Sequence, residues 1–110
     1  MADPLPILRG NLDVLVLKAL SASSMHGYAV TDWLEQRAEG NLELLDSALY
    51  QALYRLEGRR LIKATWGVSE NNRRARFYSL TDAGRAMLRA EVAQWNRYAK
   101  TVSAILATPA

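Results

Sequence analysis

The sequence predicts a mainly α-helical fold with one small β-hairpin: a winged helix-turn-helix followed by a long C-terminal helix. Two observations carry this prediction. Apolar residues of the first half recur at steps of three and four, as in helices that pack on a core. The pattern then changes to two short strand-like segments separated by a polar turn. The 110 residues, half of them apolar, suffice for one compact core.

Two helices are predicted in the first part of the chain. The first covers residues 8–21, where apolar side chains recur at helical spacing, and the second covers residues 26–38. Gly40 and Asn41 end the second helix, because glycine or asparagine commonly follows the last helical turn. The apolar residues 42–45 are predicted to form a link or a minimal strand.

A third helix is predicted to begin near Asp46 and Ser47, whose side chains can accept hydrogen bonds from free backbone N–H groups. Three residues form one buried stripe along it: Leu49, Leu53 and Leu56. Four others fall off this stripe, toward solvent or a ligand: Tyr50, Gln51, Tyr54 and Arg55.

A hairpin and one long helix complete the prediction. Residues 61–68 and 75–80 are rich in strand formers, and the polar residues 69–74 between them form the predicted turn. Thr81 is suited to cap a helix over residues 82–107. This order of elements makes the second and third helices a helix-turn-helix and the hairpin its wing.

The last helix carries an apolar seam. Its roughly 26 residues extend about 39 Å, which is long for a domain of this size. The chain is therefore divided into a winged helix-turn-helix unit, residues 1–81, and a dimerisation helix, residues 82–110, which form one continuous structural unit. Burial of the seam against a second copy is the favoured interpretation, and folding back over the first three helices is the alternative. The predicted dimer-interface residues recur at steps of four and three: Leu88, Val92, Trp95, Ala99, Val102 and Leu106.

Composition excludes several classes of protein. The chain has no cysteine, which excludes disulfides, thiolate catalysis and cysteine zinc sites and favours a reducing cytoplasm. Its single histidine, His26, is predicted to cap or pack the start of the second helix. No phosphate loop, metal-ligand spacing or nucleophile motif is present, so we predict no enzyme activity, metal or cofactor. The sequence shows no signal peptide and no apolar stretch of membrane-spanning length, so no membrane partner is expected.

Positive charge is concentrated in one segment. The chain has a net charge of +3, yet residues 55–76 hold seven basic residues against Glu57 and Glu70, a net +5. A basic patch on a helix end and a wing is the footprint of phosphate contact. A merely solvated turn is the alternative, which the adjoining helix-turn-helix disfavours. The residues of the hairpin predicted to bind DNA are Lys63, Asn71, Asn72, Arg73, Arg74 and Arg76.

The third helix offers groups that read DNA. Hydroxyls and helix N-termini suit phosphate oxygens, glutamine can pair with adenine, and arginine can pair with guanine or phosphate. Packing roles for Tyr50 and Tyr54 are the alternative, and Trp33 and Trp66 are most simply core or wing-base residues. The predicted DNA-binding residues of this helix are Ser47, Tyr50, Gln51 and Arg55.

Several motifs occur together in a specific order. They are His-Gly-Tyr at residues 26–28, Leu-Tyr at residues 49–50 in the third helix, and Leu-Thr-x-x-Gly at residues 80–84 after the wing. With residues 12–17 and 66–78, these segments resemble the PadR family of bacterial transcriptional regulators. The resemblance covers residues 8–107, and the single C-terminal helix is similar to that of the smaller PadR subgroup.

The resemblance implies a repressor that dimerises through its C-terminal helix. Some such proteins bind aromatic or drug-like ligands at the dimer interface, where a tryptophan of that helix stacks on them, and Trp95 stands in a comparable place. The resemblance also implies which residues lie on the DNA side: Tyr28, Ser47, Tyr50, Asn72, Arg73 and Arg74.

The chain departs from the family pattern at the third helix. Gln51 stands where the family often has proline, which adds a backbone N–H and an amide able to read a base. Arg60 stands where glycine commonly ends the helix, while Gly58 comes two residues early. The end of this helix is therefore left open between the two.

These features together predict a regulator that binds double-stranded DNA as a homodimer. A two-fold dimer should read a palindromic operator with half-sites about 34–36 Å apart, or a multiple of that distance. A small aromatic effector is expected to alter the affinity for DNA, and release and tighter binding are both left open. The alternative is a winged-helix module that binds proteins without binding DNA, which the basic wing disfavours.

Overall fold

A computed structural model describes residues 3–110 and confirms the predicted fold class. The elements follow one another as α1 (Asn11–Ala22), β1 (Met25–His26), α2 (Gly27–Ala38), α3 (Asp46–Gly58), β2 (Ile62–Val68), β3 (Arg74–Leu80) and α4 (Asp82–Ala107). In this part of the chain, no helix combines the length and apolarity needed to cross a membrane.

The core lies where α1 meets α2, α3, α4 and the base of the hairpin. Its largest fully buried side chains are Leu17, Leu53, Leu56, Ile62, Val16 and Val30. The predicted stripe of leucines along α3 is buried as expected. The prediction that α1 starts near Leu8 is wrong, because Gly10 adopts a left-handed φ of 87° and the helix begins only after it.

The sheet has three strands in the order β1-β3-β2, all antiparallel. In the hairpin, Ile62 pairs with Leu80 and the register continues to Val68 opposite Arg74. Of the two alternatives predicted for residues 42–45, the structure shows the link, since only Leu42 takes part in an isolated bridge, with Leu5. The third strand is instead β1, which at two residues is too short to show a period in the sequence.

The two ends of α3 differ from what its sequence suggests. Leu45 is the N-cap residue and makes no side-chain capping bond, so the prediction that Asp46 or Ser47 caps this helix is wrong. Both residues lie in the exposed first turn. The carboxylate of Asp46 still suits the positive end of the helix dipole, and the hydroxyl of Ser47 remains available to a ligand.

The backbone conformation shows where α3 ends. The helix runs through Gly58, and Arg60 takes a left-handed conformation with φ of 60°. The Leu61 N–H donates to the Leu56 carbonyl at 3.0 Å and the Arg60 N–H donates to the Glu57 carbonyl at 3.0 Å. This pair of bonds is the Schellman motif, in which glycine is the favoured left-handed residue.

We therefore expect Arg60→Gly to raise the free energy of unfolding by about 1 kcal/mol, since glycine adopts positive φ without a Cβ clash. Urea unfolding at fixed protein concentration measures this change. Arg59→Gly is the matched control, because Arg59 has an ordinary φ of −85° and glycine should bring no gain there. A gain at residue 59 as large as that at residue 60 would contradict the assignment.

The start of α4 is tied to the end of α3. The Thr81 hydroxyl accepts a hydrogen bond from the Gly84 N–H at 3.0 Å, which confirms the predicted cap, and donates to the Arg60 carbonyl at 2.8 Å. A Cβ at Gly84 would lie 1.9 Å from the Leu61 carbonyl oxygen, so only glycine fits this approach. The prediction that Leu88 lies in the dimer interface is wrong, because its side chain is buried in the core of its own chain.

Candidate nucleic-acid interface

The exposed face of α3 is polar and aromatic. Ser47, Tyr50, Gln51 and Tyr54 follow one another at steps of three, one and three, opposite the buried leucines. Tyr54 is 82% exposed, which disfavours a packing role, whereas Tyr50 is 52% exposed and packs with part of its ring. Tyr54 was not among the predicted DNA-binding residues, although its position seven residues after Ser47 places it on the same face.

The start of α2 lies against this face. A Cβ at Gly27 would come within 2.6 Å of the Tyr50 ring, so glycine at this position allows the ring to pack directly on the first turn of α2. Tyr28, the next residue, is 74% exposed. An open cleft of about 550 Å³ lies between this pair of tyrosines and the wing, whose Arg73 and Arg74 also line it.

The wing turn displays its polar side chains to solvent. The Ser69 N–H donates to the Arg73 carbonyl at 2.8 Å and closes the turn, in which Asn72 adopts a φ of 58°. Asparagine tolerates this left-handed conformation better than most residues. The predicted wing residues Asn71, Asn72, Arg73 and Arg74 are all exposed.

The structure places Trp66 differently from the prediction made from the sequence. The expectation that it packs at the base of the wing is wrong, because its side chain is 59% exposed and the Arg74 guanidinium lies 4.3 Å from its ring centroid. Trp33, by contrast, packs against the core as expected. The alternation of side chains along a strand shows on which face of the hairpin Trp66 lies. It does not show how far along the strand the core extends.

Two of the predicted DNA-binding arginines are engaged in ion pairs within the chain. Arg55 contacts Asp13 at 2.7 Å, and Arg76 contacts Glu57 at 2.7 Å. Each carboxylate offsets the positive charge that its arginine could offer to a phosphate. Of the three wing arginines, Arg73 and Arg74 near the tip are the ones that form no ion pair within residues 3–110.

Lys63 is separated from this surface. It pairs with Ser79, and it lies an odd number of residues along β2 from Trp66 and Val68, which pair with Arg76 and Arg74. Because side chains alternate along a strand, Lys63 lies on the other face of the hairpin from Arg74. It is exposed, but the structure does not bring it together with the other predicted DNA-binding residues of the wing.

His26 joins β1, α2 and the wing. Its Nδ1 accepts a hydrogen bond from the Ala29 N–H at 3.2 Å, which confirms the predicted cap, and its Nε2 lies 3.8 Å from a Glu70 carboxylate oxygen.

Burial raises the pKa of the nearby Tyr78 phenol, with Arg76 opposing the rise, so that hydroxyl stays protonated at neutral pH. Within residues 3–110, no cluster of acidic, histidine or cysteine side chains is arranged to hold a metal.

An exposed recognition helix beside a basic wing is the arrangement of winged-helix transcription regulators that bind DNA. A family model described as "Transcriptional regulator PadR-like family" matches residues 16–90. The chain therefore belongs to the PadR-like family, whose members are regulators rather than enzymes.

Two solved structures of PadR family regulators agree with this assignment, and one sequence relative matches most of the chain. A PadR family transcriptional regulator from Eggerthella lenta DSM 2243 is 31% identical, with a TM-score of 0.76 over 92% of this chain and 86% of that chain. A PadR family transcription regulator from Clostridium difficile R20291 is 26% identical, with a TM-score of 0.74 over 88% of this chain and 99% of that chain. An uncharacterized protein X from Lysinibacillus sphaericus is 27% identical over 81% of this chain and 82% of its own length.

Proposed function

We propose that the protein is a cytoplasmic repressor that binds a palindromic operator as a homodimer. The observation that carries the proposal is the common surface formed by the exposed face of α3, Tyr28 and the wing arginines. The α3 face enters the major groove, where Gln51 reads a base edge and the hydroxyls of Ser47 and Tyr50 bond phosphates or bases. The wing contacts the adjacent backbone or minor groove.

Removal of the two wing-tip arginines tests this proposal. Arg73→Ala with Arg74→Ala should weaken operator binding and lower the slope of log K against log salt by up to about 1.8, because each phosphate contact contributes about 0.9. Binding to the operator is measured across a salt series by fluorescence anisotropy.

The matched control removes the same charge elsewhere. Arg85→Ala with Arg89→Ala changes two exposed arginines of α4 that lie outside the proposed surface. We expect that control to leave the slope within the error of the wild type. An unchanged affinity and slope in the wing double variant would remove the proposed role of the wing.

A protein-interaction module is the competing function, and a gel shift separates the two. The probe is double-stranded DNA from upstream of the protein's own gene, since regulators of this type commonly control neighbouring genes. A specific shift that unlabelled probe competes away supports the repressor. No shift at low ionic strength, where phosphate contacts are strongest, favours the protein-interaction module.

The homodimer rests on apolar surface that the single chain leaves exposed. Successive residues of a helix are rotated by about 100°, which places the five outer seam residues within about 40° of one direction. They are half-buried or exposed: Val92, Trp95, Ala99, Val102 and Leu106.

Beside Val92 and Trp95 lies an open apolar groove of about 670 Å³. Its other walls come from the N-terminal segment, α1 and Leu42. A second copy of α4 seated on this face would bury both, with residues 1–81 as the DNA-binding unit and residues 82–110 as the dimerisation helix.

A small aromatic effector is a second proposed role, favoured by the position of Trp95. Its ring is 44% exposed, lies 6.3 Å from the Tyr98 ring and borders the apolar groove. A planar aromatic compound stacked there should quench tryptophan fluorescence and change operator affinity, and bound DNA should change the affinity for the compound by the same factor.

Trp95→Ala tests the effector site directly. We expect this variant to lose both the quench and the effect of the compound on DNA binding, measured by fluorescence titration and anisotropy. Trp33→Phe is the control, because Trp33 packs on the core and does not itself line the groove, so this substitution should leave the response intact. A Trp95→Ala dimer that responds to the compound like the wild type would refute the proposal.

A further inference from the structure

The wing carries an exposed tryptophan between two arginines on one face. Trp66 pairs with Arg76 across the hairpin, and Arg74 lies two pairs nearer the tip, opposite Val68. Side chains at these alternate positions share a face. The ring centroid of Trp66 is 4.3 Å from the Arg74 guanidinium carbon and 6.0 Å from that of Arg76.

The two guanidinium groups differ in their second partner. Arg76 also contacts the Glu57 carboxylate at 2.7 Å, so its charge is largely compensated. Among residues 3–110, Arg74 forms no ion pair, and the indole face is the group that holds it. Arg73, its neighbour, has neither an ion pair nor an aromatic partner in the same part of the chain.

We propose that Trp66 is a positioning residue for DNA binding, which holds the Arg74 guanidinium in place for one DNA phosphate. A cation over an indole face is attracted by the ring, and stacking leaves the N–H groups at the edge of the guanidinium available for bidentate bonds to phosphate oxygens. The side chain is thus partly ordered before DNA arrives, which lowers the entropy lost on binding. This inference rests on the proposed binding of DNA by the wing.

A double-mutant cycle with Trp66→Ala and Arg74→Ala tests the inference on the intact protein and its operator. Trp66→Ala should weaken binding about two- to fivefold, the range of an exposed cation–π contact, with the salt slope unchanged because the cation is still present. Arg74→Ala should lower the slope by about 0.9. In the Arg74→Ala background, Trp66→Ala should have no further effect. Trp66→Phe, which keeps an aromatic face, should restore most of the affinity.

Val68→Ala is the matched control for loss of an exposed apolar side chain on the same face of the wing, and it should bind like the wild type. Thermal unfolding checks that each variant folds, and the exposure of Trp66 predicts little change. Wild-type affinity in Trp66→Ala would overturn the inference, as would an equal loss in the presence and absence of Arg74. Failure of the wild type itself to bind the operator would instead overturn the proposed function.

Discussion

Gly84→Ala is expected to lower the free energy of unfolding by about 2–3 kcal/mol, because the new methyl group overlaps a backbone atom that cannot move aside easily. The Cβ would stand 1.9 Å from the Leu61 carbonyl oxygen, in the junction where Thr81 caps α4 and bonds the end of α3. Relief of the overlap requires α4 to move away from Leu61, which also loosens the packing of Leu88 on the core.

Gly58→Ala is the matched control, since it makes the same substitution in a helix. Gly58 is the last residue of α3, and a Cβ there meets no atom within 4 Å. Alanine should therefore raise stability at this position by about 0.5–1 kcal/mol through its better helix propensity. The two variants should shift the unfolding curve in opposite directions.

The measurement is urea unfolding followed by circular dichroism, with all proteins at one concentration so that dimerisation does not bias the comparison. For a domain of this size, 2–3 kcal/mol corresponds to a fall in Tm of about 10–20 °C. A Gly84→Ala protein as stable as the wild type would show that α4 does not approach Leu61 as closely as described.

The parts of the fold that the sequence predicts are those decided by neighbouring residues. The buried stripe of α3 follows from leucines at helical spacing, and the cap at Thr81 follows from a hydroxyl three residues before a free N–H. The bounds of α4 agree with the prediction for the same reason. Even His26 is placed correctly as a cap, because its role is local.

The parts that the sequence does not predict depend on contacts between distant residues. Arg55 meets Asp13 across 42 positions and Arg76 meets Glu57 across 19. Because Asp13 lies outside residues 55–76, a count of charges along that segment overstates the charge free for DNA. Strand β1 exists because β3 offers it an edge, and its own two residues carry no period. Trp66 is exposed because the sheet extends beyond the core, which a strand pattern alone does not reveal.

Val102→Glu is expected to break the proposed dimer and, with it, tight operator binding. In a two-fold interface the substitution places a carboxylate in each of two equivalent apolar positions. An unpaired charge buried in this way costs about 3 kcal/mol or more, which is a loss of roughly 150-fold or more in dimer affinity. Because each monomer then reads one half-site, affinity for a palindrome should fall to that for a single half-site.

Ala104→Glu separates this effect from a general effect of charge on α4. Residue 104 is exposed and lies about 200° around the helix from residue 102, so the same charge points away from the seam. We expect this control to remain dimeric by light scattering after gel filtration and to bind the operator like the wild type. If Val102→Glu also remained a dimer with unchanged operator affinity, the seam on α4 would not be the interface. Both variants should retain the folded circular dichroism spectrum of the wild type, because Val102 lies outside the buried core of the single chain.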